Sequence, residues 1–314
     1  MDVRPITVLA GGVGAARFLQ GLLSVVPAED VAIIGNVGDD LEVAGLHVSP
    51  DLDTVLYTLT GWIDETRGWG VRGDSDRALD RARSLGAEAW FWLGDLDIGL
   101  HMARTERLAR GEPLSAATAV LAEQLGAEAQ LLPVTDDRLR TMLQTQEGEL
   151  DFQTYYVRRG HRDRVTGLRF DGAGSAAPAP GVLEALRGAR VVIVAPSNPL
   201  ISIGPILAVP GVREAIAGRA GPTVAVSPIV EGAALRGPAA DMLRSLGHEA
   251  SPVGVARLYA GLADSLVFDS RDAELADAVR EAGLRPHVTD TIMRDPEARR
   301  RLAAAALDAA GAAR

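Results

Sequence analysis

A chain of 314 residues with 47% hydrophobic content can bury a sizeable core, and no apolar run approaches the roughly 20 residues that span a bilayer. A formal net charge of −10 argues against a nucleic-acid partner, which calls for a basic face, yet anionic small ligands stay open because amides at helix starts supply local positive potential. There is no cysteine and no lysine, all 32 basic residues being arginine, so disulfides, thiolate metal sites, a Walker A loop and a lysine Schiff base are excluded.

The opening MDVRPITVLAGG lacks the charged start, long apolar middle and cleavage site of a signal peptide, so the expected location is the cytoplasm, with no membrane contact. ITVLA (6–10) predicts a buried strand and GAARFLQGLLSVV (14–26) a helix. VAIIG is a second strand, running into the acidic stretch GNVGDDLEVAGLHVSPDLDT (35–54). There Ser49 reads as an N-cap with Pro50 at the first helical position, which places Asp51 and Asp53 in the first helical turn. AEAWFWLGD predicts a strand ending in a second acidic turn, with Asp95 and Asp97, before the helix LDIGLHMARTERLARG. A helix from about Ser115 and LLPVTD follow. Across 139–170, LRTMLQT, ELDFQTYYVRR and VTGLRF predict short antiparallel strands, and DGAGSAAPAP (171–180) a flexible connection. Strand–helix alternation then resumes through VVIVAPSNP, TVAVSPIVEG, SLVFD and PHVTDT to a terminal helix.

Alternation of this kind predicts an α/β fold with a doubly wound, mostly parallel, Rossmann-like sheet. We expect a single domain over 1–314 with a β-rich insertion at 136–175. Ligands bind such sheets beyond the carboxyl ends of the strands. The words AGGVGAAR, GNVGDD, LGDLD, APSNP and VSPIVEG all follow apolar strands.

Gly12 and Gly14 occupy the first two places of a G-x-G-x-x-G pattern and Arg17 replaces the third glycine, which favours a phosphate cradle for a nucleotide other than NAD. Ser197 and Asn198 are suited either to cap the next helix or to hold a phosphate or ribose. Asp39 and Asp40 with Asp51 and Asp53 come from two elements and suit magnesium, a hard cation that pairs with substrate phosphates; helix capping is the competing explanation. His47 and His101 are expected in hydrogen-bonded structural roles. Trp62, Trp69, Trp90 and Trp92 are expected in the core, with Trp69 the exception because Gly68 and Gly70 beside it let a flat ligand approach.

Together, AGGVGAARFLQGL, NVGDD, GLHVSPDLDTVLYTL, RGWG, WFWLGDLD, LLPVTDD, FQTYYV, APSNPLISIGPILAVPGVREA and SPIVEGAALRGPA resemble, in order and over nearly the whole chain, the 2-phospho-L-lactate transferase family (CofD, called FbiA in actinobacteria) of coenzyme F-420 biosynthesis. The resemblance implies a magnesium-dependent transfer of a phosphorylated three-carbon acid, lactyl or enolpyruvyl, from its GDP anhydride to the ribityl 5′-hydroxyl of Fo (7,8-didemethyl-8-hydroxy-5-deazariboflavin), releasing GMP. It implies a homodimer. It assigns the guanine nucleotide to Gly11, Gly12, Gly14, Asn36, Ser197, Asn198 and Pro199, and magnesium to Asp39, Asp40, Asp51 and Asp53. Asp53 first, then Asp51, would orient or deprotonate the acceptor hydroxyl.

Members of that family commonly read L-G-D-R-D, whereas this chain has Leu93-Gly94-Asp95-Leu96-Asp97, and VRGDSDRA after RGWG is unusual. Leu96 therefore puts the acceptor pocket in question, with Arg72 or Arg104 as candidates to restore a charge. A non-enzymatic nucleotide-binding regulator of the YvcK type is the rival; its D-D-G-G-S-S-G word is absent, and Asp39-Asp40-Leu41-Glu42 followed by SPDLDT favours the transferase.

Overall fold

The computed structural model describes residues 6–235 and 237–311. Its main sheet has seven strands, all parallel: β1 (Ile6–Ala10), β2 (Val31–Gly35), β3 (Gln130–Pro133), β4 (Val191–Val194), β5 (Thr223–Val226), β6 (Ser265–Asp269) and β7 (Arg285–Thr289). Their order is β7-β6-β5-β4-β1-β2-β3, the doubly wound arrangement extended by one strand. Runs such as VAII, VVIV and TVAV are buried at every position, the pattern of parallel strands covered by helices on both faces. The order reverses beside β1, which pairs with β2 on one side and β4 on the other, Ile6 facing both Val31 and Val191. A crevice is expected at that switch point.

Five helices matter for what sits there: α1 (Gly12–Leu22), α2 (Pro50–Leu59), α3 (Arg77–Ser84), α4 (Asp95–Ala109) and α5 (Leu114–Gln124). Helix α1 packs against α2 and against the terminal helix Pro296–Ala309. No helix among the described residues is long and apolar enough to cross a membrane. The insertion is a three-stranded antiparallel sheet of Arg140–Thr145, Gly148–Asp151 and Val165–Asp171, with Arg140–Thr145 in the middle.

Three expectations need correcting. AEAWFWLGD forms no strand: residues 87–94 are irregular, and Phe91, Trp92 and Leu93 instead line a cavity. Hydrophobic content mimicked a strand, but the run has no neighbour to pair with, because the sheet ends at β3. ELDFQTYYVRR divides, its second half coiling as a π-helical turn, Thr154–Arg158. The Asp151 carboxylate accepts hydrogen bonds from the Thr154 amide and hydroxyl, a local cap that overrides the β preference of tyrosine and valine. DGAGSAAPAP is a fixed connection: the Ala177 amide donates to Asp137 at 2.7 Å and the Ala179 amide to the Val134 carbonyl at 3.0 Å.

Candidate active site

The loop after β1 is shaped by what crowds it. Gly12 has φ +72, a left-handed conformation that glycine adopts without strain. A Cβ on Gly14 would sit 2.1 Å from the Pro196 carbonyl oxygen, and one on Gly11 would sit 2.7 Å from Asp51 Oδ2. The glycines thus let the turn touch both the loop after β4 and the start of α2. Ser197 Oγ accepts from the Gly11 amide at 3.4 Å, and Asn198 Oδ1 caps the Leu200 and Ile201 amides. Gly14→Ala is expected to lower the melting temperature by forcing the turn away from the loop after β4. A backbone oxygen cannot step aside, so the cost reaches or exceeds the about 1–3 kcal/mol of ordinary overpacking. Calorimetry checks this, and an unchanged variant would contradict the close approach.

The four acids of the second loop do not share one environment. Ser49 and Pro50 start α2 as expected, but the Ser49 hydroxyl donates to Asp40 Oδ2 at 2.8 Å, with His47 Nε2 3.1 Å from the same oxygen. Asp53 is buried on Arg104, which donates to both of its oxygens, and also accepts the Ser49 amide at 3.2 Å. Asp40 and Asp53 are therefore tied down. Asp51 accepts from Asn36 Nδ2 at 2.9 Å and from the Gly12 amide. Burial, helped by nearby Asp40 and Asp53, pushes Asp51 up to about 6. Burial also holds Asp39 well above the usual carboxylate range, and Asp51 and Asp40 add repulsion. Asp39 Oδ1 and Asp40 Oδ1 are buried without a hydrogen-bond partner among the described residues. Among the described residues no three histidine, aspartate or glutamate side chains gather as a metal cage.

A cavity of about 420 Å³ opens at the switch point. Of the nucleotide and metal residues expected from sequence, Gly11, Gly12, Asp39, Asp51, Asp53 and Asn198 line it. Gly14, Asn36, Asp40, Ser197 and Pro199 stand behind the wall, where Asn36 orients Asp51 and Ser197 supports Gly11. One side is aromatic. Trp69 and Trp92 meet edge to face, ring centres 5.3 Å apart, and the Arg67 guanidinium lies 4.7 Å from the Trp92 centroid. Trp62 is 43% exposed and Trp90 and Trp92 are half-buried, so the core expectation fails for them; Trp69, set apart from it, is 41% exposed and lines the cavity. Phe152, Gln153, Tyr156 and Val157 of the insertion line it too.

Helix α4 brings together three residues that sequence reasoning named only singly. Its buried residues are Asp97, His101 and Arg104, spaced to share one face. Asp97 accepts the Tyr57 hydroxyl, and burial pushes its carboxyl to about 6. Burial pushes His101 down to about 4, so the imidazole is neutral near pH 7. A polar i, i+4, i+7 stripe inside a predicted helix was the available signal. Asp95 instead caps α3, accepting the Ser75 hydroxyl and the Ala78 amide, while Asp74 caps α4 through the Leu96 and Asp97 amides. That reciprocal capping accounts for the VRGDSDRA word, and for Gly94, where a Cβ would strike the Asp74 carboxylate. Leu96 is 52% exposed and outside the cavity wall. Neither proposed substitute supplies a cavity charge, since Arg72 is exposed away from the lining and Arg104 is neutralised by Asp53.

A family profile described as 2-phospho-L-lactate transferase CofD matches residues 6–307. The chain belongs to the CofD family. Among CofD-like relatives, a phosphoenolpyruvate transferase of Streptomyces griseus is 43% identical over 311 residues, covering 97% of this chain and 98% of that protein. A 2-phospho-L-lactate transferase of Methanosarcina acetivorans is 38% identical over 296 residues, covering 94% and 96%. A UPF0052-family protein of Bacillus halodurans, 16% identical, superposes with a TM-score of 0.65 over 98% of this chain and 99% of that one, a likeness of fold alone. The CofD membership makes this chain a transferase of coenzyme F-420 biosynthesis.

Proposed function

We propose that this chain moves a phosphorylated three-carbon acid from its GDP anhydride to the ribityl 5′-hydroxyl of Fo, releasing GMP, with magnesium as cofactor. The observation that carries the reading is a meeting at one switch point: a glycine turn suited to phosphate, the buried carboxylates Asp39 and Asp51 pushed up by burial and by neighbouring carboxylates, and an aromatic-walled cavity. The higher identity to the Streptomyces phosphoenolpyruvate transferase than to the Methanosarcina 2-phospho-L-lactate transferase supports the enolpyruvyl acid as donor.

The residues present fit magnesium. Asp39 and Asp51 offer hard oxygens, repel each other when charged, and Asp39 Oδ1 lacks a partner among the described residues. Magnesium is commonly held by one or two carboxylates, with waters and substrate phosphates completing the shell, so a third protein ligand is not required. Bound there, it would neutralise charge on the transferred phosphoryl group. Asn36 holds Asp51 in orientation for that task. The start of α1, where Val13 lines the cavity, and the Asn198 amide would bind the guanosine phosphates. Trp69, Trp92, Phe152 and Tyr156 would enclose the deazaflavin ring and keep water out.

In the transfer, the 5′ oxygen bonds to phosphorus and the anhydride oxygen departs with GMP. The hydroxyl proton passes to Asp97, whose carboxyl, at about 6, is tuned for a base near neutral pH. Asp53, the first choice from sequence, suits this less because Arg104 occupies both its oxygens. Incubating the purified chain with Fo, magnesium and either donor should release GMP and give the coupled product by mass. Nucleotide binding without turnover on either donor would favour a regulator.

A further inference from the structure

Of the polar stripe on α4, Asp97 is accounted for by Tyr57 and Arg104 by Asp53, but His101 is not. Its side chain is buried to 1% exposure and forms part of the cavity wall. Nδ1 lies 3.4 Å from Arg104 Nη1 and 3.7 Å from Asp53 Oδ2, the latter beyond hydrogen-bond length. A guanidinium only donates. Nδ1 is therefore the acceptor, and the ring proton sits on Nε2. Nε2 has no hydrogen-bond partner among the described residues, although buried donors are almost always paired.

The surroundings select what that donor meets. Asp97 lines the same cavity one helical turn away and the Arg104–Asp53 pair balances its own charge, while the lining's other cation, Arg67, lies beside Trp92. An anionic phosphate or carboxylate oxygen at this spot would be repelled. A hydroxyl oxygen is not, because it accepts from His101 and donates its own proton to a carboxylate. Asp97 lies one helical turn from His101 on the same face, so the two present an acceptor and a donor side by side. The pair suits a polyol.

We infer that His101 Nε2 donates to a secondary hydroxyl of the acceptor's polyol tail, next to the hydroxyl that reacts, so that His101 selects the tail and sets its register against Asp97. The inference rests on the transferase reading above. Arg104 acts through His101 by fixing its tautomer. A flat ring lacking the tail would leave the donor unpaired, the kind of mismatch that discriminates strongly between substrates.

Steady-state kinetics with Fo and donor, together with fluorescence titration of Fo alone, test this on the full chain. His101→Leu should raise the Fo KM and dissociation constant about ten-fold or more, the weight of one stranded buried hydrogen bond, with the donor KM unchanged. His101→Gln, whose amide reaches the Nε2 position, should recover most of that loss. An Fo analogue lacking the 4′-hydroxyl should bind wild type correspondingly more weakly, and the Leu variant should not distinguish it from Fo. If Leu does not fold, Gln with the two ligands carries the same test, retaining the discrimination. Equal Fo affinity in Leu and wild type, or equal loss on the analogue in both, overturns the inference by leaving Nε2 to a structural water. Absence of Fo binding and GMP release in wild type would instead remove the transferase reading.

Discussion

Asp51→Asn will cut kcat/KM by about 10³-fold or more, the scale of losing one key electrostatic group, while raising the melting temperature of the magnesium-free protein at pH 7.5. The two effects share a cause. Burial pushes Asp51 up to about 6 from the ordinary 3.8, so keeping it charged above pH 6 costs the fold roughly 3 kcal/mol. Between about pH 4 and 6 the folded state holds a proton that the unfolded chain has lost. Stability therefore falls as pH rises through that window, and the cost is fully present above it. Asparagine removes the charge and keeps an oxygen for Asn36, so the variant's advantage should vanish below about pH 4. Magnesium should stabilise wild type at pH 7.5, much less at pH 5, and the variant hardly at all. Melting curves across pH in EDTA and in magnesium check each part. A variant less stable than wild type at pH 7.5, or one that retains activity, would separate Asp51 from the metal.

Much of this site can be read from the chain because its parts are local. The apolar runs VAII and VVIV specify buried strands. The glycine turn follows β1, APSNP follows β4, and the doubly wound order places them together without knowledge of any side-chain contact. Pro50 and Ser49 mark the start of α2 in the same local way. What stays hidden depends on partners far along the chain. Arg104, which separates Asp53 from the other acids, lies 51 residues away. Nothing in SPDLDT shows that Asp53, unlike Asp51, is also held by a buried arginine. WFWL misleads for a related reason: a run of large apolar residues lines an interior or a ligand cavity equally well, and periodicity does not say which. The stripe Asp97, His101, Arg104 is different. Helical spacing exposes it, once one asks why a buried face should carry three polar side chains.

The division of the acids makes Asp53 a structural test case. Asp53→Asn removes the countercharge of a fully buried guanidinium, and breaking such a pair from one side costs about 3–5 kcal/mol. For a chain of this size that is a fall of roughly 5–8 °C in melting temperature. Arg104→Met should cost a similar amount by stranding the carboxylate. The double variant should regain most of the loss, because a buried pair replaced on both sides is often near neutral. Activity should follow the same order: Asp53→Asn is impaired because the Ser49 turn loses its anchor and Arg104, which holds His101, loses its countercharge, and the double variant partly recovers. A base would behave otherwise. If Asp53→Asn melts with wild type and is inert, and Arg104→Met does not rescue it, Asp53 takes the acceptor's proton and Asp97 does not. Thermal melts paired with GMP release for the three variants separate the two cases, since stability and turnover move together only when Asp53 holds the site in place.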